Sequence, residues 1–249
     1  MLNYYFKDTV QSFLQKSTEE IIGEITLSNT FDSSFNQNKS WESQIPILKD
    51  AVSGLKGTIF FEFSIPRMGK RVDVIIVTEN IVFVIEFKVG ETKYHRHHIE
   101  QVWDYALDLK NFHDPSHNAV LVPILVATEN EVSFLEIVTT PHNDNVIFPI
   151  RTNKDELYQA ISNVFSFFKE NNEINGELFS RGRYSPTPTI IEAAVSLYNS
   201  HTVDEITRSD AEAKNLTVTT TAISDIINNS KSNTKKSGSS YEFVGRKVI

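Results

Sequence analysis

Cysteine is absent from the 249 residues. That excludes a disulfide framework, thiolate zinc sites and a cysteine nucleophile, and it fits a reducing compartment. A basic excess is missing too. The 24 lysines and arginines face 32 acids, for a net charge of −8, so a polyanion would have to be met by a local patch. Long apolar runs are equally scarce: the longest, Ala119 to Ala127, contains Pro123 and covers about half a bilayer span. Met1 to Asp8 carries no apolar core of signal-peptide length, and the expectation is a soluble, cytoplasmic protein. There is no Gly-x-Ser-x-Gly elbow, no Gly-x-Gly-x-x-Gly after a strand, and no Gly-x-x-x-x-Gly-Lys-Ser/Thr to cradle a nucleoside triphosphate. No internal repeat is visible.

What is present is a globular balance, 40% hydrophobic and 22% charged, which argues against wholesale disorder. Helical spacing of Phe6, Val10, Phe13, Leu14, Ile21, Ile22 and Ile25 predicts helix over residues 5 to 27. A polar stretch, 28 to 40, precedes a helix expected from about Ser40 to Ser53, with Trp41, Ile45, Leu48 and Val52 on one face. Pro46 is placed in its first turn or so. Three strands follow, Thr58 to Ile65, Arg71 to Val77 and Ile81 to Val89, and connections this short allow only an antiparallel meander. An amphipathic helix runs to about Phe112, then a buried strand over Val120 to Ala127 and a further strand candidate at Val146 to Ile150. A helix is expected over Lys154 to Lys169. A Gly- and Pro-punctuated link, Asn175 to Pro188, leads to helices near 189–199, 203–208 and 217–228. The resulting division is an N-terminal helical segment (1–40), an α/β domain (41–170), a helical extension (171–230) and a flexible tail (231–249).

Polar residues interrupt the apolar strands at informative places. Asp73 is the one carboxylate in Val72-Asp73-Val74-Ile75-Ile76-Val77, and Glu86 and Lys88 close Ile81-Val82-Phe83-Val84-Ile85-Glu86-Phe87-Lys88. Glu86 and Lys88 share a face by strand periodicity. Pairing through Thr78-Glu79-Asn80 brings Asp73 opposite Glu86, so two carboxylates and an ammonium converge at one edge of the sheet. A buried carboxylate needs a partner. A divalent cation is one, since Mg²⁺ accepts one or two carboxylates and keeps waters; a structural ion pair with lysine is the other. Arg67, Lys70 and Arg71, with Arg96 further on, form either a phosphate-contacting patch or a solvated turn. Tyr94-His95-Arg96-His97-His98 reads as a loop, a phosphate contact or a second metal cluster, although its histidines lack the spacing of helical zinc ligands.

These residues carry a resemblance. Gly69-Lys70-Arg71-Val72-Asp73-Val74-Ile75, Ile85-Glu86-Phe87-Lys88-Val89-Gly90 and Gln101-Val102-Trp103-Asp104-Tyr105 resemble the PD-(D/E)XK nuclease superfamily, in its RecB-type form. Val72 stands where the superfamily name has proline. The resemblance implies a restriction-endonuclease-like αβββαβ core with a mixed central sheet flanked by helices, and a C-terminal helical extension. It implies Asp73, Glu86 and the Phe87 carbonyl as ligands of Mg²⁺ or Mn²⁺. Lys88 would orient the attacking water, with Gln101 and Tyr105 as further catalytic groups, and Glu42 would be an optional acidic ligand on the first helix. The implied activity is metal-dependent cleavage of nucleic acid, DNA being the expected form.

A longer resemblance joins Ile65 to Asp73, Asp104 to His113 and Tyr184 to Ala194 to the front part of bacterial nuclease–helicase fusions, whose ATPase is of the Schlafen-like or superfamily I type. The chain ends where that ATPase would begin, as a natural short form or a truncated frame, and a helicase partner would then act in trans. The alternative reading is a non-catalytic module that binds nucleic acid or a protein partner.

Overall fold

In the computed structural model, residues 3–28, 35–141, 144–168 and 175–184 are described. They form a six-stranded mixed sheet with helices on both faces. The strands are β1 (Phe6–Thr9), β2 (Thr58–Ile65), β3 (Lys70–Thr78), β4 (Ile81–Lys88), β5 (Val120–Ala127) and β6 (Ile150–Thr152), and they lie side by side in chain order. The pairs β1–β2, β2–β3 and β3–β4 are antiparallel; β4–β5 and β5–β6 are parallel. The meander is therefore as expected. The return from β4 to β5 runs through α4 (Arg96–Phe112), the crossover that parallel neighbours require. Because β4 and β5 are covered on both faces, their sequences are apolar almost throughout rather than alternating.

One face of the sheet, with Phe61, Val74, Phe83, Ile85, Val122 and Ile124, packs against α1 (Val10–Gln15), α2 (Thr18–Ser28), α3 (Phe35–Ala51) and α5 (Leu157–Phe167). The other, with Phe60, Phe63, Val72, Ile75, Val84 and Leu125, packs against α4 and α6 (Gly176–Arg181). Among the described residues no helix is long and apolar enough to cross a membrane.

The structure corrects several element assignments. The helix expected over 5 to 27 is three elements. Phe6 to Thr9 add an edge strand, since Phe6 gains more by pairing opposite Phe61 and meeting its ring edge-on (5.6 Å) than a helix could offer. Thr9 then caps α1 by accepting from the Ser12 amide (3.1 Å), and Ser17 and Glu20 exchange side-chain to backbone bonds in a capping box that restarts the chain as α2. Helix α3 begins at Phe35, which leaves Pro46 in its interior rather than its first turn. The proline forfeits one backbone bond there, while Trp41, Ile45 and Leu48 on the same helix are fully buried. The strand candidate at 146–150 shifts to Ile150–Thr152, with isolated bridges left from Val146 to Leu121 and from Ile147 to Thr139. The link at 175–188 contains α6, capped by Asn175 and anchored by Phe179 against Phe60, Phe63 and His113. The helices expected beyond residue 188, and the resemblance to a helicase lead-in carried there, lie outside the described residues.

Candidate functional site

The site forms where β3 and β4 part. Their ladder ends at Val74–Ile85, and one residue further the Asp73 side chain takes the place of a backbone partner: Oδ2 accepts from the Phe87 amide at 2.8 Å. The convergence thus lies between two central strands, not at a lateral edge of the sheet, which corrects the expected placement. Strand periodicity turns Glu86 and Lys88 to the α4 face, and α4 supplies Gln101 and Tyr105 one turn apart. Lys88 Nζ donates to Glu86 Oε1 (2.8 Å) and to Gln101 Oε1 (3.1 Å). Gln101 Nε2 donates to the same Glu86 oxygen (2.8 Å) and to the Tyr105 hydroxyl (2.8 Å). Glu86, Lys88, Gln101 and Tyr105 are therefore one hydrogen-bonded group, with Asp73 tied to it through the Phe87 backbone.

The electrostatics are those of charge held in a dry place. Burial pushes the Asp73 carboxyl well above the usual carboxylate range, and repulsion from Glu86 and then Glu62 adds to it. Asp73 keeps some exposed surface, yet its carboxyl group is densely surrounded by protein. Glu86 is 4% exposed; burial raises its pKa, and Lys88 opposes the rise. Tyr105 is pushed up to about 12, chiefly by burial, so its hydroxyl keeps its proton at neutral pH. One oxygen breaks the pattern of satisfied groups: Glu86 Oε2 is buried and makes no hydrogen bond of ordinary geometry, although the Asp73 backbone amide lies near enough to oppose the rise in the Glu86 pKa. A buried anionic oxygen in that condition is costly. A hard cation would fit it, with the Asp73 carboxylate and the Phe87 backbone beside it. No group of three or more His, Cys, Asp or Glu side chains among the described residues is arranged to hold a metal ion; a cation here would have two carboxylates, a carbonyl and water as its donors.

The other expected site residues are placed differently. Glu42 is exposed on α3 and takes no part in the hydrogen-bonded group. Of the basic patch, Arg67 lies in the turn Pro66–Met68, which closes on Gly69 at φ 61°; Lys70 is exposed at the start of β3. Arg71 points inward instead, donating to the Glu62 carbonyl (2.9 Å) and stacking over Tyr5 (4.0 Å). Arg96 pairs with Glu100 (2.6 Å) one helical turn along. The His95–His98 segment is not a loop: His95 is the N-cap of α4, and His97 and His98 lie in its first turn with ring centroids 4.0 Å apart. Burial, with Lys88 and the neighbouring imidazoles, holds His98 below its ordinary value. A cleft of about 730 Å³ between β1 and α6, lined by Tyr4, Lys7, Thr58 and Glu177 among others, includes none of the grouped residues.

Sequence reasoning overlooked Glu62. It is a lone carboxylate in Phe60-Phe61-Glu62-Phe63, the same signal that singled out Asp73.

Compared with known proteins, the chain matches no family model, and neither a curated protein nor a solved structure matches it.

Proposed function

We propose that this chain is a Mg²⁺-dependent nuclease, hydrolysing the phosphodiester bonds of nucleic acid, with DNA as the expected substrate, on a restriction-endonuclease-like core. The observation that carries the reading is the buried Glu86 Oε2, which lacks a hydrogen-bond partner on a carboxylate whose other oxygen accepts from Lys88, with Asp73 bonded to the neighbouring Phe87 amide. A purely structural ion pair would leave no anionic oxygen idle in the interior. Asp73, Glu86 and the Phe87 carbonyl would hold Mg²⁺ or Mn²⁺. Bound there, the ion would supply Lewis acidity and lower the pKa of a coordinated water.

The chain's own groups have distinct tasks in this reading. Lys88, fixed by Glu86 and Gln101, presents an ammonium to the charge that develops on the phosphoryl oxygens. Gln101 keeps Lys88 and Glu86 in register. Tyr105, protonated and buried, accepts from Gln101 and so sets which way its amide faces. Arg67, Lys70 and the imidazoles at the start of α4 are our candidates for phosphate contact, since Arg71 and Arg96 are engaged elsewhere.

The test is cleavage of a labelled panel of single- and double-stranded DNA and RNA, with Mg²⁺ or Mn²⁺ and with EDTA. Glu86→Ala is expected to abolish both cation binding and cutting. Lys88→Ala should keep cation binding, because an ammonium has no lone pair to donate, and lose roughly 10²–10³-fold in rate. Cutting that survives Glu86→Ala would refute the assignment. Cation-dependent binding of nucleic acid with no cutting under any condition would favour a non-catalytic module.

A further inference from the structure

Glu62 sits in the middle of β2 with a left-handed backbone, φ 54°, a region that suits glycine and disfavours residues with a side chain. The residue is only 8% exposed. The β2–β3 register pairs Phe61 with Val74 and Phe63 with Val72, but the ladder opens between Glu62 and Asp73. Both strands exchange faces at this point: Phe61 and Val74 belong to one side of the sheet, Phe63 and Val72 to the other. A local kink therefore interrupts two strands at once.

Dedicated contacts hold it. Trp41 Nε1 donates to Glu62 Oε1 at 3.0 Å, and Arg71 donates to the Glu62 carbonyl at 2.9 Å while stacked on Tyr5. Beyond giving the buried Trp41 indole an acceptor, Glu62 is not the residue that fold stability would select here. Glycine would relieve the backbone, and an apolar residue would relieve the buried charge. Strain and buried charge kept together at one residue point to a task at the adjoining site. That site contains Glu86, itself 4% exposed with an idle oxygen, and Asp73, the residue across the ladder opening from Glu62.

We infer that Glu62 is a third acidic member of the site, a positioning residue whose negative charge strengthens cation binding by Asp73 and Glu86 without itself being a ligand. The inference rests on the proposed cation site. The kink in β2 is the device that delivers the charge: it opens the ladder opposite Asp73, Arg71 holds the backbone of the kink through the Glu62 carbonyl, and Trp41 keeps the carboxylate from swinging away. With Asp73 and Glu86 it makes three carboxylates against the ammonium of Lys88 and the guanidinium of Arg71, an excess of anion that a divalent ion would neutralise.

The experiment titrates Mg²⁺ or Mn²⁺ alone into the full chain by calorimetry. Glu62→Gln keeps an acceptor for Trp41 and removes only the charge. A unit charge acting on a divalent ion ~7 Å away through a high effective dielectric is expected to change affinity by about 10- to 50-fold. Glu62→Asp should recover part of that loss. Independently, Glu62→Gly should melt about 2–4 °C above Glu62→Ala, because both lose the carboxylate and only glycine relaxes the backbone. Wild-type protein and Glu62→Gln binding the ion equally would overturn the inference. Absence of binding by the wild type would instead overturn the cation-site reading on which it depends. Equal melting of the Gly and Ala variants would remove the strain that motivates a functional role.

Discussion

Replacing Asp73 by Asn should make the protein more stable and useless to a cation at the same time. Asn is nearly isosteric and its carbonyl oxygen can keep the 2.8 Å bond from the Phe87 amide. What disappears is a charge that burial disfavours and that Glu86 and Glu62 repel. Two carboxylates ~6 Å apart repel by about 1–3 kcal/mol at effective dielectrics of roughly 20–40. Removing one charge should therefore stabilise the cation-free protein by about 1–3 kcal/mol. For a chain of this size 1 kcal/mol moves the melting temperature by about 2–4 °C, so a rise of roughly 2–12 °C is expected in EDTA. The sign with pH follows from the direction of the shift. Asp73 holds its proton more tightly folded than unfolded, so its charge costs nothing well below the ordinary value of 3.8. The cost grows as pH rises through the folded pKa and is complete above it. The advantage of Asn should therefore widen from acid to neutral pH. Excess Mg²⁺ reverses the comparison: a ligand at 100 times its Kd adds about 2.7 kcal/mol to the form that binds it, and only the wild type should gain. The assay is paired thermal unfolding, in EDTA and in Mg²⁺, at several pH values. An Asn variant that melts below wild type in EDTA, or that gains as much from Mg²⁺, would refute the account of the site as a cation-binding cluster of carboxylates.

His113 is 1% exposed, and its pKa is pushed down to about 4, chiefly by burial. Its Nε2–H donates to the Phe179 carbonyl (3.0 Å), which leaves Nδ1 to accept from the Ser116 hydroxyl (2.7 Å). Because the folded pKa lies below the unfolded one, its stabilising contribution is complete above about 6.5 and should fall by about 3 kcal/mol between pH 6.5 and 4, a slope that His113→Gln should flatten in denaturant titrations. Phe179 is fully buried against Phe60 and Phe63, so Phe179→Ala should cost about 3–5 kcal/mol and speed limited proteolysis near α6; unchanged protection would mean that α6 is not held by this ring.

Much of the frame can be read along the chain. The meander is legible because its connections are too short for anything but antiparallel pairing, and β5 because a continuous apolar run fits a strand covered on both faces. Asp73, Glu86 and Lys88 stand out for one local reason: each is polar in an otherwise apolar strand; Gln101 and Tyr105 lie off the apolar stripe of their helix and are singled out by the resemblance they carry. Periodicity is a property of neighbours in sequence, so the sequence determines it alone. Other features depend on partners far away in the chain. Phe6 to Thr9 have helix-compatible spacing, and only β2, more than fifty residues later, makes them a strand. Arg71 looks like a phosphate contact until the Glu62 carbonyl and the Tyr5 ring claim it. Glu62 carries the same compositional signal as Asp73, but its left-handed backbone and the bonds it receives from Trp41 and Arg71 are visible only once distant elements are brought together. Which polar residues are unusual is written in one dimension. Which of them meet, and which oxygen is left without a partner, depends on non-local packing that tertiary structure alone decides.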